Sequence, residues 1–123
     1  MCTILLSIKP EYSERILSGE KKFEFRRKCA SRTVSKILIY TSAPKMKVVG
    51  EVEVKGVLSS SPDKLWKETS CFAGISQKKF MDYFSKKENA YAYQLGKVKK
   101  FKQEKSLSDY GIKTPPQSFV YMD

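Results

Sequence analysis

Histidine is missing from the 123 residues altogether. That one absence excludes every site built on imidazole: Ser-His-Asp and Cys-His hydrolysis, and zinc held by histidine. Cysteine is scarce and oddly placed. Cys2, Cys29 and Cys71 form neither an even-numbered disulfide framework nor a C-x-x-C knuckle. A reducing compartment is therefore expected, with buried or idle thiols and a reactive cysteine as the lesser alternative. No apolar run approaches the roughly 20 residues of a membrane helix. The opening Met1-Cys2-Thr3-Ile4-Leu5-Leu6 has no basic start and no small-residue cleavage site, so a cytoplasmic chain without membrane contact is expected. Acidic residues are few, 13 against 24 Lys and Arg, which leaves a net charge of +11.

What is present supports one folded domain spanning residues 1–123. Hydrophobic residues make up 41% and aromatics 12%, enough for a packed core rather than a disordered tail. An excess of eleven positive charges raises the local concentration of polyanions, of which nucleic acid is the commonest in the cytosol.

Thr3 to Ile8 reads as a buried strand. From Lys9 to Gly19 the signals of a short helix agree. Pro10 suits the first turn, Glu11 and Glu14 lie near the positive helix end, Tyr12 and Ile16 share a face, and Gly19 supplies a left-handed stop. Glu20 to Lys28 then alternates, with Phe23 and Phe25 on one face and Lys22, Glu24 and Arg26 on the other. Ser35 to Thr41 is another strand, ending in the turn-forming Ser42-Ala43-Pro44.

In the strand from Val48 to Leu58, residues Val48, Val52, Val54 and Leu58 oppose Glu51, Glu53 and Lys55. Gly50 and Gly56 fall on its apolar side, where bulges would help a sheet curl. Ser61 and Ser76 cap two further helices. In the second, Phe80, Tyr83 and Phe84 have a spacing that serves burial rather than base stacking. Ala90 to Gln103 is a long strand whose parity breaks at Val98, so a bulge is expected near Gly96. Pro115-Pro116 makes a stiff entry into a terminal strand. The expected fold is α+β: a small, strongly bent β-barrel of five or six strands with two or three short helices.

The basic residues are clustered. Lys21 to Lys36 holds seven cations and one acid, and Lys97 to Lys105 holds five cations and one acid. That distribution favours a nucleic-acid surface over its plain alternative, two solvated strand faces. Arg26 suits bidentate contact with phosphate or a base edge, and lysine suits phosphate as a point charge. Glu24, between cations, either pairs structurally with Arg26 or accepts hydrogen bonds from a base amino group.

These residues resemble a known family, the ASCH domains of the PUA-like superfamily. Leu6-Ser7-Ile8-Lys9-Pro10 is followed by Ser18-Gly19-Glu20-Lys21-Lys22-Phe23-Glu24-Phe25-Arg26, which fits the family's G-x-K-x-x-E-x-R signature at Gly19, Lys21, Glu24 and Arg26. The strand Ile37 to Pro44, the Gly50-Glu51-Val52 strand and the closing Pro115-Pro116-Gln117-Ser118-Phe119 come in the family's order. The resemblance implies a pseudo-barrel with a cleft lined by Lys21, Glu24 and Arg26. Lys9, Tyr40, Ser42 and Gln117 are further candidates by position. Lys22, Arg27, Lys97, Lys99 and Lys100, from the basic clusters, would flank the cleft and track a nucleic-acid backbone.

One branch of the family hydrolyses acetylated cytidine with a motif Lys, a motif Thr and a downstream Glu. Lys21 matches the first, Glu24 occupies the Thr position, and Glu68 and Glu88 lie in the half of the chain where the third would fall. The expectation is an RNA-binding module for a single-stranded or modified nucleotide, with DNA as a possible ligand and a role in transcription or translation. The alternatives are an amidohydrolase or ribonuclease using Lys21 and Glu24, and a protein-interaction module in transcriptional control. No cofactor and no metal are expected, and the oligomeric state is left open.

Overall fold

The structure, a computed structural model, describes residues 2–122. The chain runs β1 (Cys2–Ile8), α1 (Pro10–Leu17), β2 (Phe23–Arg26), β3 (Val34–Thr41), β4 (Lys47–Ser60), α2 (Pro62–Thr69), α3 (Gln77–Tyr83), β5 (Ala90–Lys105) and β6 (Phe119–Tyr121). Single 3₁₀ turns stand at Ser70–Phe72 and Leu107–Tyr110. The strands form one six-stranded sheet in the order β2-β5-β4-β3-β1-β6, so the α+β, bent-barrel expectation holds. Among the described residues only β1 and β3 pair in parallel. Both faces of β1 are covered, which is why it reads as an unbroken apolar run. Ile4, Leu6 and Ile8 pack under α1, while Leu5 packs on the opposite side.

The curl comes from the long strands. The β4–β5 ladder slips between Val48 and Gly50, between Val52 and Val54, and between Val54 and Gly56. At the middle slip, Val52 faces Val98 while Val54 faces Leu95, so Gly96 and Lys97 form the extra residue of a bulge on β5. A Cβ at Gly50 would sit 2.6 Å from the Lys99 carbonyl oxygen; the close approach of the strands there requires glycine. After these bends the edge strand β2 comes back to β1, where Arg26 Nη2 donates to the Ser7 carbonyl at 2.9 Å.

The helices begin where the caps are. The Ser61 and Ser76 hydroxyls accept from the backbone N–H of Lys64 and Lys79. Gly19 closes the α1 turn at φ +85. Phe80 and Phe84 are core residues, packed with Phe25, Leu65 and Ala92 between β2 and the α2–α3 pair.

Two local expectations change. Paired β2 is confined to Phe23–Arg26, shorter than the alternating stretch, because only those residues meet Tyr91 to Gln94 of β5. Strand β5 runs two residues past Gln103. Cys2 is buried, but Cys71 is exposed beside Phe72. Among the described residues no helix is long and apolar enough to cross a membrane.

Candidate functional site

The motif strand is also an edge strand, and this decides the geometry of the site. The α1 C-terminus turns at Gly19, and the Lys21 N–H donates to the Arg15 carbonyl at 2.9 Å. Lys22 is then fixed on both sides, its N–H to the Phe72 carbonyl and its carbonyl to the Leu95 N–H. Lys21 therefore enters β2 with the parity of Phe23 and Phe25, the apolar face, and is buried at 3% exposure. Glu24 and Arg26 project from the other face. Because no strand among the described residues pairs with the free side of β2, one cavity wraps that edge and receives side chains of both parities. Its volume is about 520 Å³.

Lys21, Glu24 and Arg26 each have a defined partner. Lys21 Nζ donates to the Ala73 carbonyl at 2.6 Å and stands 4.7 Å from the Phe25 ring centroid and 5.4 Å from that of Tyr12. Burial lowers its pKa to about 8, Glu24 opposes the shift, and the like charges of Arg15 and Arg26 add to it. Gly74 makes room for this lysine: at φ +63, a Cβ there would lie 2.5 Å from Lys21 Cβ. The Gly74 carbonyl is in turn held by Arg15 Nη1 at 2.8 Å.

Arg26 places both of its contacts with Glu24 on one oxygen, Nε at 3.0 Å and Nη2 at 2.8 Å from Oε2. The structural ion pair is thus present, and Oε1 is left unengaged by the guanidinium. Glu24 can serve as brace and acceptor at once. Aromatic surface comes from Tyr12, Phe25 and Tyr83. Tyr83 is braced from behind by Arg27, whose guanidinium lies 4.3 Å from the ring and donates to the Tyr83 carbonyl at 2.8 Å. Lys79 and Glu11 face each other across the mouth at 3.8 Å.

The structure brings together four of the residues singled out in the sequence: Lys9, Lys21, Glu24 and Arg26. Others lie elsewhere. Tyr40 is 1% exposed and packed with Leu5, Leu38 and Val48 under the Leu107–Tyr110 turn, so it does not line this cavity. Ser42 touches the rim only through its N–H, which donates to the Ile8 carbonyl. Gln117 is exposed beside Pro116, whose carbonyl accepts from the lining Ser7 hydroxyl at 2.8 Å. Lys22 points to the other side of β2, over Phe72 at 4.6 Å. Arg27 opens onto a shallow surface shared with Lys86 and Glu88.

Lys97 sits in the bulge, and Lys99 and Lys100 belong to the half of β5 beyond it, where it pairs with Val48 to Val52 of β4. They do not flank the cavity. Nor does Glu68 or Glu88 line it. The lining is therefore nearly balanced, with Lys9, Lys21, Arg26 and Lys79 set against Glu11, Glu24 and Asp82. Positive charge gathers outside the hollow rather than in it. Among the described residues no group of three or more His, Cys, Asp or Glu side chains could hold a metal.

Sequence reasoning missed Tyr83 and Lys79 as site residues. The α3 spacing of Tyr83 signals burial, which is true of Phe80 and Phe84, but the helix shows its edge, with Lys79, to the cavity. The carbonyls of Ala73 and Gly74 carry no side-chain signal at all.

Comparison with known proteins adds four findings. The profile of the ASCH domain matches residues 6–104. Large ribosomal subunit protein uL22 of Ureaplasma parvum is similar over 121 residues at 29% identity, covering 98% of this chain and 39% of that protein. An ASCH domain-containing ribonuclease of Zymomonas mobilis is similar over 92 residues at 32% identity, covering 74% of this chain and 62% of that protein. The chain thus spans less than two thirds of the length of either relative. The crystal structure of ASCH from Zymomonas mobilis superimposes with a TM-score of 0.89 at 27% identity, covering 97% of this chain and 86% of that one.

Proposed function

The chain belongs to the ASCH domain family, and from that premise we propose that it is an RNA-binding module that holds one nucleotide in the pocket of Lys21, Glu24 and Arg26. One observation carries this reading: a cavity of about 520 Å³ combines a fixed acceptor, fixed cations and aromatic walls. A base needs a flat apolar face and a few directional polar groups. Tyr12, Phe25 and Tyr83 offer the first. Glu24 Oε1 accepts from an exocyclic amino group, while Lys9 and Lys79 at the mouth meet the phosphate.

The near-neutral lining suits recognition of a base, and the surplus of +11 acts at longer range on the backbone. Titration of a fluorescent single-stranded RNA with the protein and with Arg26→Ala tests this. Wild type should bind at low salt, with affinity falling as salt rises, and Arg26→Ala should lose at least tenfold. A protein-interaction module would bind its partner without that salt dependence. If no RNA binds at low salt, the proposal fails.

A second reading is favoured by the lowered pKa of Lys21 and by the relative named a ribonuclease. A neutral amine next to a carboxylate can take the proton of a ribose 2′-hydroxyl. Lys21 would be the base and is mostly protonated at pH 7, so cleavage should rise with pH, reach half its maximum near pH 8 and level off above it. Lys21→Met should abolish turnover and spare binding. For the amidohydrolase alternative, Glu24 stands where the family uses a hydroxyl, and it is tied to Arg26.

A further inference from the structure

The pocket leaves the excess charge unexplained, and among the described residues most of the exposed cations form no ion pair. One set of them is arranged. Behind the start of β2, on the side away from the pocket, a groove of about 190 Å³ runs between Lys22, Lys55 and Lys97. Gly19 and Gly96 line it, and the Lys55 side chain crosses Gly96, 3.4 Å from where a Cβ would stand. The groove exists because of two features already described. The left-handed Gly19 turn carries the chain past the sheet edge, and the Gly96 bulge swings Lys97 out of the β5 ladder.

None of the three lysines has a carboxylate within ion-pairing distance among the described residues. Two acids lie near by position: Glu53, across the ladder from Gly96, and Glu20, between Gly19 and Lys21, which faces Arg15 at 3.7 Å. By contrast, Lys36 and Lys45 are neutralised by Glu51 and Glu104 at 2.9 Å. Three unpaired ammonium groups around one hollow repel one another and gain most from a multivalent anion. Lys22 also lies over the Phe72 ring, which is 48% exposed. A large exposed aromatic beside a cationic groove is the pairing that single-stranded nucleic acid uses, a base on the ring and phosphate on the ammonium.

We infer that the Lys22–Lys55–Lys97 groove is a second, phosphate-binding site that takes the backbone of the RNA strand whose base occupies the pocket. This rests on the RNA reading above. Lys21 borders both hollows, so a strand passing over Lys22 would engage them in turn. The pocket reads one nucleotide and the groove supplies the salt-dependent grip on its neighbours.

The test measures binding of a ten-nucleotide single-stranded RNA and of a mononucleotide across a salt series. The variants are Lys22→Gln/Lys55→Gln/Lys97→Gln and a charge-matched control, Lys64→Gln/Lys67→Gln/Lys78→Gln. Each neutralised phosphate contributes about 0.7 to the slope of log affinity against log salt. The groove variant should therefore lose about two units of slope on the oligonucleotide, keep mononucleotide binding, and differ from the control. Phe72→Leu should weaken the oligonucleotide several-fold with no change of slope. Equal slopes in wild type and groove variant, with RNA still bound, would overturn the groove and leave the pocket standing. An equal loss in the control would overturn it too, as bulk charge. A wild type that binds no RNA removes the pocket reading and the groove together.

Discussion

Lys21 is a cation placed where the strand's apolar side chains belong. Its ammonium is lodged against the Ala73 carbonyl and two rings, and its pKa falls from 10.5 to about 8. The unfolded chain therefore holds more protons than the folded one between those values, and stability contributed by this group rises with pH across that window. Below pH 8 the full cost of burying the charge is felt; by pH 10.5 it is relieved. The shift corresponds to about 3 kcal/mol. In urea denaturation, wild type should gain that amount relative to Lys21→Met between pH 7 and 10.5. A difference that stays constant with pH would show that the lysine is not desolvated.

Glu24 and Arg26 form the second residue-scale unit, their side chains only 9% and 14% exposed. Glu24→Gln leaves the guanidinium poorly compensated and should cost about 2–3 kcal/mol. In the double variant Glu24→Gln/Arg26→Met the loss should be smaller than the sum of the two singles. Nucleotide binding should be absent from all three. Stability measured around this cycle separates the bracing role from the recognising one.

At the scale of elements, bends and caps set where the site residues fall. Gly50→Ala would drive a methyl group into the Lys99 carbonyl across a paired ladder. Neither strand can retreat without losing its pairing, so a cost of about 2–3 kcal/mol is expected in chemical denaturation. Ser76→Ala should remove about 1 kcal/mol by uncapping α3. It should also weaken nucleotide binding, because α3 carries Lys79 and Tyr83 to the mouth.

These same elements show what could be read ahead of the structure. Alternation, Pro10, Gly19, the serine caps and the bulge at Gly96 are local signals, and each element they mark is present. Lys21 was legible as a motif residue but not as a buried one, since its partner carbonyl comes 52 residues later. Tyr40 was a candidate by its position on the family's matching strand, yet the Leu107–Tyr110 turn packs over it from far along the chain. The second basic cluster was visible in composition. Its distance from the pocket was not, because it depends on a 16-residue strand bending in the middle.

On the scale of the whole molecule, charge and recognition are divided between places. The pocket is close to neutral and shaped for a base, while many of the surplus cations lie outside it, on β4, β5 and behind β2 among other places. A protein of net charge +11 attracts any polyanion at low salt, so affinity alone does not identify the pocket. Location does. The most direct measurement is a nitrogen–proton NMR titration of the labelled protein with a mononucleotide at 150 mM salt. The account predicts shifts confined to residues 7–12, 21–27 and 73–83. Shifts confined to β4 and the far half of β5, or none at saturating nucleotide, would contradict it.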